Sequence, residues 1–162
     1  MTRMVITLGG GVRVTPESEG ALQDLTSRLT DADTEARVLS QEPEGYGTVF
    51  GEVVVIYIAM KAIDNLTDKA LDAFFARITD VAKKWAKERA QERIDRGAKR
   101  VRATYVEPRN EKGEQIGPSV KAEADSNGVV EITVQEKAEY DFKRPVQFDP
   151  SWLEGEEVDD SS

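Results

Sequence analysis

An α+β fold is predicted by three features of the sequence: a strand-helix-strand unit at the N-terminal end, a long amphipathic helix from Thr67-Asp68, and later alternating segments joined at Asn127-Gly128. In this reading two further helices, one of them long and amphipathic, pack on a mixed sheet that a C-terminal antiparallel hairpin completes. Residues 1–135 are expected to form a single α+β domain, 136–153 an aromatic-containing C-terminal extension, and 154–162 an acidic disordered tail.

Met4 to Leu8 reads as a short strand, ended by Gly9-Gly10-Gly11; Val12 to Val14 extend it or pair with it. Thr15-Pro16-Glu17 supplies an N-cap hydroxyl, a proline at the first helical position and an acid in the first turn. Ala21, Leu22, Leu25 and Leu29 follow at helical spacing. Ala36 to Ser40 is the second strand, stopped near Pro43, and a right-handed crossover would set it parallel to the first.

Val53 to Ile63 is the ambiguous stretch. Its β-branched residues favour a strand, while its length and the later Ala59-Met60-Lys61-Ala62 favour a buried helix, and an all-apolar run has no periodicity to decide between them. A helix is the expectation. The next helix is plain: Leu71, Phe74, Phe75, Ile78, Val81, Ala82 and Trp85 form one apolar stripe. Past Trp85 charges of both signs interleave, which predicts solvated last turns ending at Gly97. Three strands should follow, Arg100 to Glu107, Ser119 to Ala124 and Val129 to Gln135. Pro108 to Pro118 would be a long exposed loop, and Asn127-Gly128 a two-residue hairpin turn.

Composition narrows the chemistry. The 162 residues include no cysteine and no histidine, so disulfides, thiolate nucleophiles, Ser-His-Asp catalysis and His-ligated zinc cannot be built within the chain. A non-enzymatic protein without a cofactor is therefore expected, and the lack of cysteine suits a cytoplasmic setting. The formal net charge of -9 repels phosphate backbones and anionic lipid, which argues against nucleic-acid and membrane partners. The longest apolar run is far shorter than the roughly 20 residues of a membrane helix, and no secretory signal is expected from the opening residues.

Several clusters were candidates for a site. Gly9-Gly10-Gly11 lacks the lysine of a P-loop, and Glu17 would repel a phosphate, so it reads as a turn. Asp64, Asp68 and Asp72 complement a helix N-terminus without the spacing of a calcium loop. Lys83, Lys84, Lys87, Arg89, Arg93, Arg96, Lys99, Arg100 and Arg102 concentrate positive charge in an acidic protein. They read as a solvated helix face, or as a landing for an acidic partner or the protein's own tail. Phe148-Asp149-Pro150-Ser151-Trp152-Leu153 has the form of a linear motif with aromatic anchors, and equally of a staple onto the domain's own core. Phe148, Trp152, Leu153, Lys84, Lys87 and Arg93 are accordingly the candidate partner-binding residues.

The order of elements resembles the effector-associated constant component proteins of bacterial conflict systems. The resemblance is carried by the strand and helix with Leu22, Leu25 and Leu29, the junction Glu42-Pro43-Glu44-Gly45-Tyr46-Gly47, an apolar helix, the amphipathic helix ending near Trp85, and the strands from Arg100 to Gln135. It implies a non-enzymatic, adaptor-like accessory to a separately encoded effector in bacterial defence or signalling, and it transfers no binding residue. The alternatives are homo-oligomeric assembly, in which the Phe74/Phe75/Ile78/Trp85 stripe completes its burial against a second copy, and a metal- or nucleotide-dependent enzyme using carboxylates and lysine.

Overall fold

The computed structural model describes residues 2–9, 16–39, 51–95, 103–137, 146 and 148–154. In chain order its elements are β1 (Thr2–Gly9), α1 (Pro16–Leu29), β2 (Thr34–Val38), β3 (Gly51–Ile58), α2 (Met60–Asp64), α3 (Asp68–Asp95), β4 (Ala103–Arg109), β5 (Ser119–Ala124) and β6 (Val130–Gln135). Expectations for Gly10 to Thr15, the Pro43 to Gly47 junction, Arg96, Gly97, Lys99, Arg100, Arg102, Tyr140, Phe142 and 155–162 lie outside the described residues.

The strands form one mixed sheet in the order β2-β1-β3-β4-β5-β6. β1 and β2 are parallel, as the α1 crossover requires. β3 lies antiparallel to β1 and parallel to β4, so α2 and α3 are the crossover of a second strand-helix-strand unit. β4, β5 and β6 then run antiparallel in sequence.

β3 corrects the helix expected from Val53 to Ile63. Gly51 to Ile58 is a strand, and only Met60 to Asp64 is helical. Val54, Ile56 and Ile58 face α1 and α3, while Val53, Val55 and Tyr57 pack on the opposite side with Leu153, Phe148 and Trp152. A strand covered on both faces is apolar at every position, and that erases the alternation that would have identified it.

The main core lies between the sheet and the two long helices. Met4, Ile6 and Leu8 meet Leu22, Leu25 and Leu29 of α1, and Ile78, Ala82, Trp85 and Ala86 of α3 lie over Val106, Val120 and Ala122. α3 begins where the sequence places it, with the Ala70 N–H donating to Thr67 Oγ1 at 3.2 Å as an N-cap. Trp85 Nε1–H donates to the Ala21 carbonyl at 2.9 Å, which fixes α1 against α3. The last turns of α3 are not uniformly solvated, for Arg89 and Ala90 are buried.

Two further expectations are corrected. The connection after β4 is no exposed loop, because Arg109 and Asn110 are buried and Asn110 Oδ1 accepts from the N–H groups of Lys112 and Glu114. Pro108 fits within a strand since its carbonyl accepts from the Ile116 N–H, so its missing donor points to the side where the β4–β5 ladder has already opened. Gly117 completes the passage beneath α3: a Cβ there would sit 2.6 Å from Phe75 Cδ1. The β5–β6 hairpin is confirmed, but its turn is a three-residue loop. The Gly128 N–H donates to Asp125 O, and of the residues Ser126 to Gly128 only Gly128 has positive φ, at 79°. A two-residue type I′ turn would need positive φ at Asn127 as well.

Candidate functional site

The charged residues that look most like chemistry are sunk into the fold. Glu52 opens β3 on the helix-facing side and is 2% exposed. Arg89 reaches it with two hydrogen bonds of 3.1 Å, Nε to Oε1 and Nη2 to Oε2. Arg93 adds a 2.7 Å contact from Nη2 to Glu52 Oε2 and donates from Nη1 to Thr104 Oγ1 at 3.3 Å. Glu17 of α1 closes the group at 3.3 Å from Arg89 Nη1. Burial pulls the Arg89 pKa down, but the hydrogen bonds and charge of Glu52, with the charge of Glu17, outweigh it and hold the guanidinium above its ordinary value. This network ties α1, α3, β3 and β4 together.

A second buried pair lies on the other face of the sheet. Arg109 donates to Glu107 Oε2 from Nε at 3.2 Å and from Nη2 at 2.9 Å, and from Nη1 to the Gly113 carbonyl at 2.7 Å. Arg109 thereby holds the turn after β4. The Arg89–Glu52 contact is a guanidinium–carboxylate fork of the kind that fixes geometry, whereas both Arg109 donors converge on the one oxygen Oε2 of Glu107. A shallow cleft of about 180 Å³ between α1 and α3 is rimmed by Glu17, Asp24, Glu88, Arg89 and Glu92 and backed by Trp85. Among the described residues no group of three or more acidic, histidine or cysteine side chains is arranged to hold a metal ion. Asp64, Asp68 and Asp72 are all exposed.

The predicted partner-binding residues fall on two sides of the molecule. Lys84 and Lys87 are exposed on the outer surface of α3, whereas Arg93 turns inward to Glu52. Phe148, Trp152 and Leu153 lie across the sheet from that helix. Leu153 is 2% exposed, Phe148 sets its ring edge-on to Tyr57 at 5.5 Å, and Trp152 lies 4.1 Å from the Arg37 guanidinium and 5.2 Å from that of Arg3. Arg3 Nη1 also donates to the Trp152 carbonyl at 3.1 Å. The turn is closed by Asp149, whose Oδ1 accepts from the Ser151 N–H at 3.0 Å, and by Glu154 N–H to Pro150 O at 2.9 Å. Of the two uses open to this segment, the staple is the one adopted here.

A surface that the sequence reading passed over is the edge formed by β6. Val129 is 57% exposed and Val134 44% exposed, and among the described residues these are the exposed large hydrophobic side chains. Val134 lies on β6, which ends the sheet among the described residues, and Val129 sits in the turn just ahead of it. The Asp125 N–H donates to Val129 O, so in the β5–β6 register Glu131, Thr133 and Gln135 turn their backbone groups toward β5. Val130, Ile132 and Val134 turn theirs outward. The signal was present in Val-Glu-Ile-Thr-Val, a strand pattern with neither proline nor lysine to guard an edge.

No helix among the described residues is long and apolar enough to cross a membrane. No family model, no curated protein and no solved structure matches the chain.

Proposed function

We propose that the chain is a non-enzymatic, adaptor-like interaction module whose docking element is the open edge of β6. The observation that carries this reading is that exposed Val134, with exposed Val129 just ahead of it, coincides with a strand edge that no described residue pairs. Edge strands accept a further strand through main-chain hydrogen bonds, with alternate side chains supplying selectivity. The buried carboxylates support the same reading, since Glu52 and Glu107 are committed to arginines that position helices and turns. The Phe148-Trp152-Leu153 segment is spent on the molecule's own sheet. The resemblance to effector-associated constant component proteins, without the apolar helix that is strand β3 here, supplies a setting: an accessory to a separately encoded effector in a cytoplasmic bacterial conflict or signalling system.

Affinity capture from native lysate with wild type and Val134→Lys tests the docking element. A stoichiometric protein recovered by the wild type and lost with the lysine supports it. Equal recovery by both counts against it, as does recovery of nothing by a wild type that is itself monomeric.

A further inference from the structure

We infer that the strand seated on the β6 edge is β6 of a second copy, paired antiparallel about a twofold axis at Ile132. The inference rests on the docking element named above and assigns its occupant. Val130-Glu131-Ile132-Thr133-Val134 alternates apolar and polar residues symmetrically about its centre. Antiparallel pairing about Ile132 sets Ile132 opposite its own copy, Val130 opposite Val134, and Glu131 opposite Thr133. Every apolar side chain then meets an apolar one, on the face where Val120 and Ala122 already pack beneath α3. A closed twofold contact of this kind uses the same patch on both copies.

Backbone geometry selects the same register. Val130, Ile132 and Val134 direct their amides and carbonyls outward, and pairing 132 with 132 and 130 with 134 would join them in about six main-chain hydrogen bonds. Sliding the strands to centre on Val134 would instead require Glu136, whose carbonyl already accepts from Gln115 Nε2 at 2.9 Å. It would also set Ile132 against a carboxylate. Charge works the other way: each copy carries -9, and the twofold brings two Glu131 residues to diagonal positions. Added salt should therefore strengthen the pairing.

Sedimentation equilibrium of the wild type across a concentration series, at low and high salt, should show a monomer–dimer equilibrium that tightens with salt. Val134→Lys places charge on the axis-flanking position and leaves the core alone. Ile132→Pro removes an outward donor that bonds to none of the described residues. Each should weaken dimerisation about tenfold or more, with circular dichroism and melting temperature near wild type for Val134→Lys. Because the chain has no cysteine, single cysteines at 131, 132, 133 and 134 read the register, and Ile132→Cys should cross-link fastest under mild oxidation.

A wild type that stays monomeric at high micromolar concentration, a dimer indifferent to Val134→Lys, or preferential cross-linking at 134 would each overturn the inference. Monomeric wild type together with Val134-dependent capture of another protein would do so while leaving the docking element intact.

Discussion

Glu52 illustrates how much a single side chain can organise. It is held by Arg89 and Arg93 with almost no contact with water, and burying such a group is tolerable only while its partners remain. Glu52→Gln leaves two guanidiniums facing a neutral amide and should lower stability by about 3–5 kcal/mol, read as a shift in the urea midpoint at constant slope. At the exposed end of the scale, Asp31 and Asp149 are both held below the ordinary carboxyl value of 3.8, Asp31 first by the Asp33 N–H and then by the Arg77 charge, Asp149 by the Ser151 N–H and hydroxyl. A carboxyl whose folded pKa lies below its unfolded one contributes stability that is complete above the unfolded value and lost as pH falls through the folded one. The acid loss from these groups therefore begins near 3.8 and continues below it. Carboxyl NMR titration should place both midpoints under 3.8, and Asp149→Ala should flatten that part of the stability curve.

At the scale of elements, the hairpin and β3 show where sequence pattern is sufficient and where it is not. The β5–β6 loop needs positive φ only at Gly128, so Gly128→Ala should cost about 1–2 kcal/mol while Asn127→Ala costs less, a ranking that thermal unfolding of the two variants can check. A two-residue turn would make both positions sensitive. α1, β2, α3, β5 and β6 were legible because each has one covered face and therefore a period. β3 was not, since covering both faces removes the period. Arg89 and Arg93 misled for a related reason: they look solvated beside their glutamates, yet they continue the stripe Ile78, Ala82, Trp85, Ala86 at three- and four-residue steps. That spacing, with a lone Glu52 ahead of an apolar strand, was the available sign of a buried ion pair. The β6 edge went unread because an alternating strand looks alike in the middle of a sheet and at its margin; only the strand order distinguishes them.

Taken as a whole, the molecule has two cores of unequal kind. One is enclosed by α1 and α3, and the other is covered, among the described residues, by Val146, Phe148, Trp152 and Leu153. Leu153 is a fair probe of the second, and Leu153→Ala should cost about 2–3 kcal/mol, toward the low end for a buried leucine because a short turn can settle into the space. Equilibrium unfolding would register that loss, and amide exchange should locate it along β1 and β3 more than in α3. The clasp between Arg3 and Trp152 joins positions 149 residues apart. A nascent chain emerging from the ribosome presents β1 early and its aromatic cover only after Leu153 has been translated. Until then that flank lacks Phe148, Trp152 and Leu153, and a chaperone that recognises uncovered aliphatic strands would find its target in that interval.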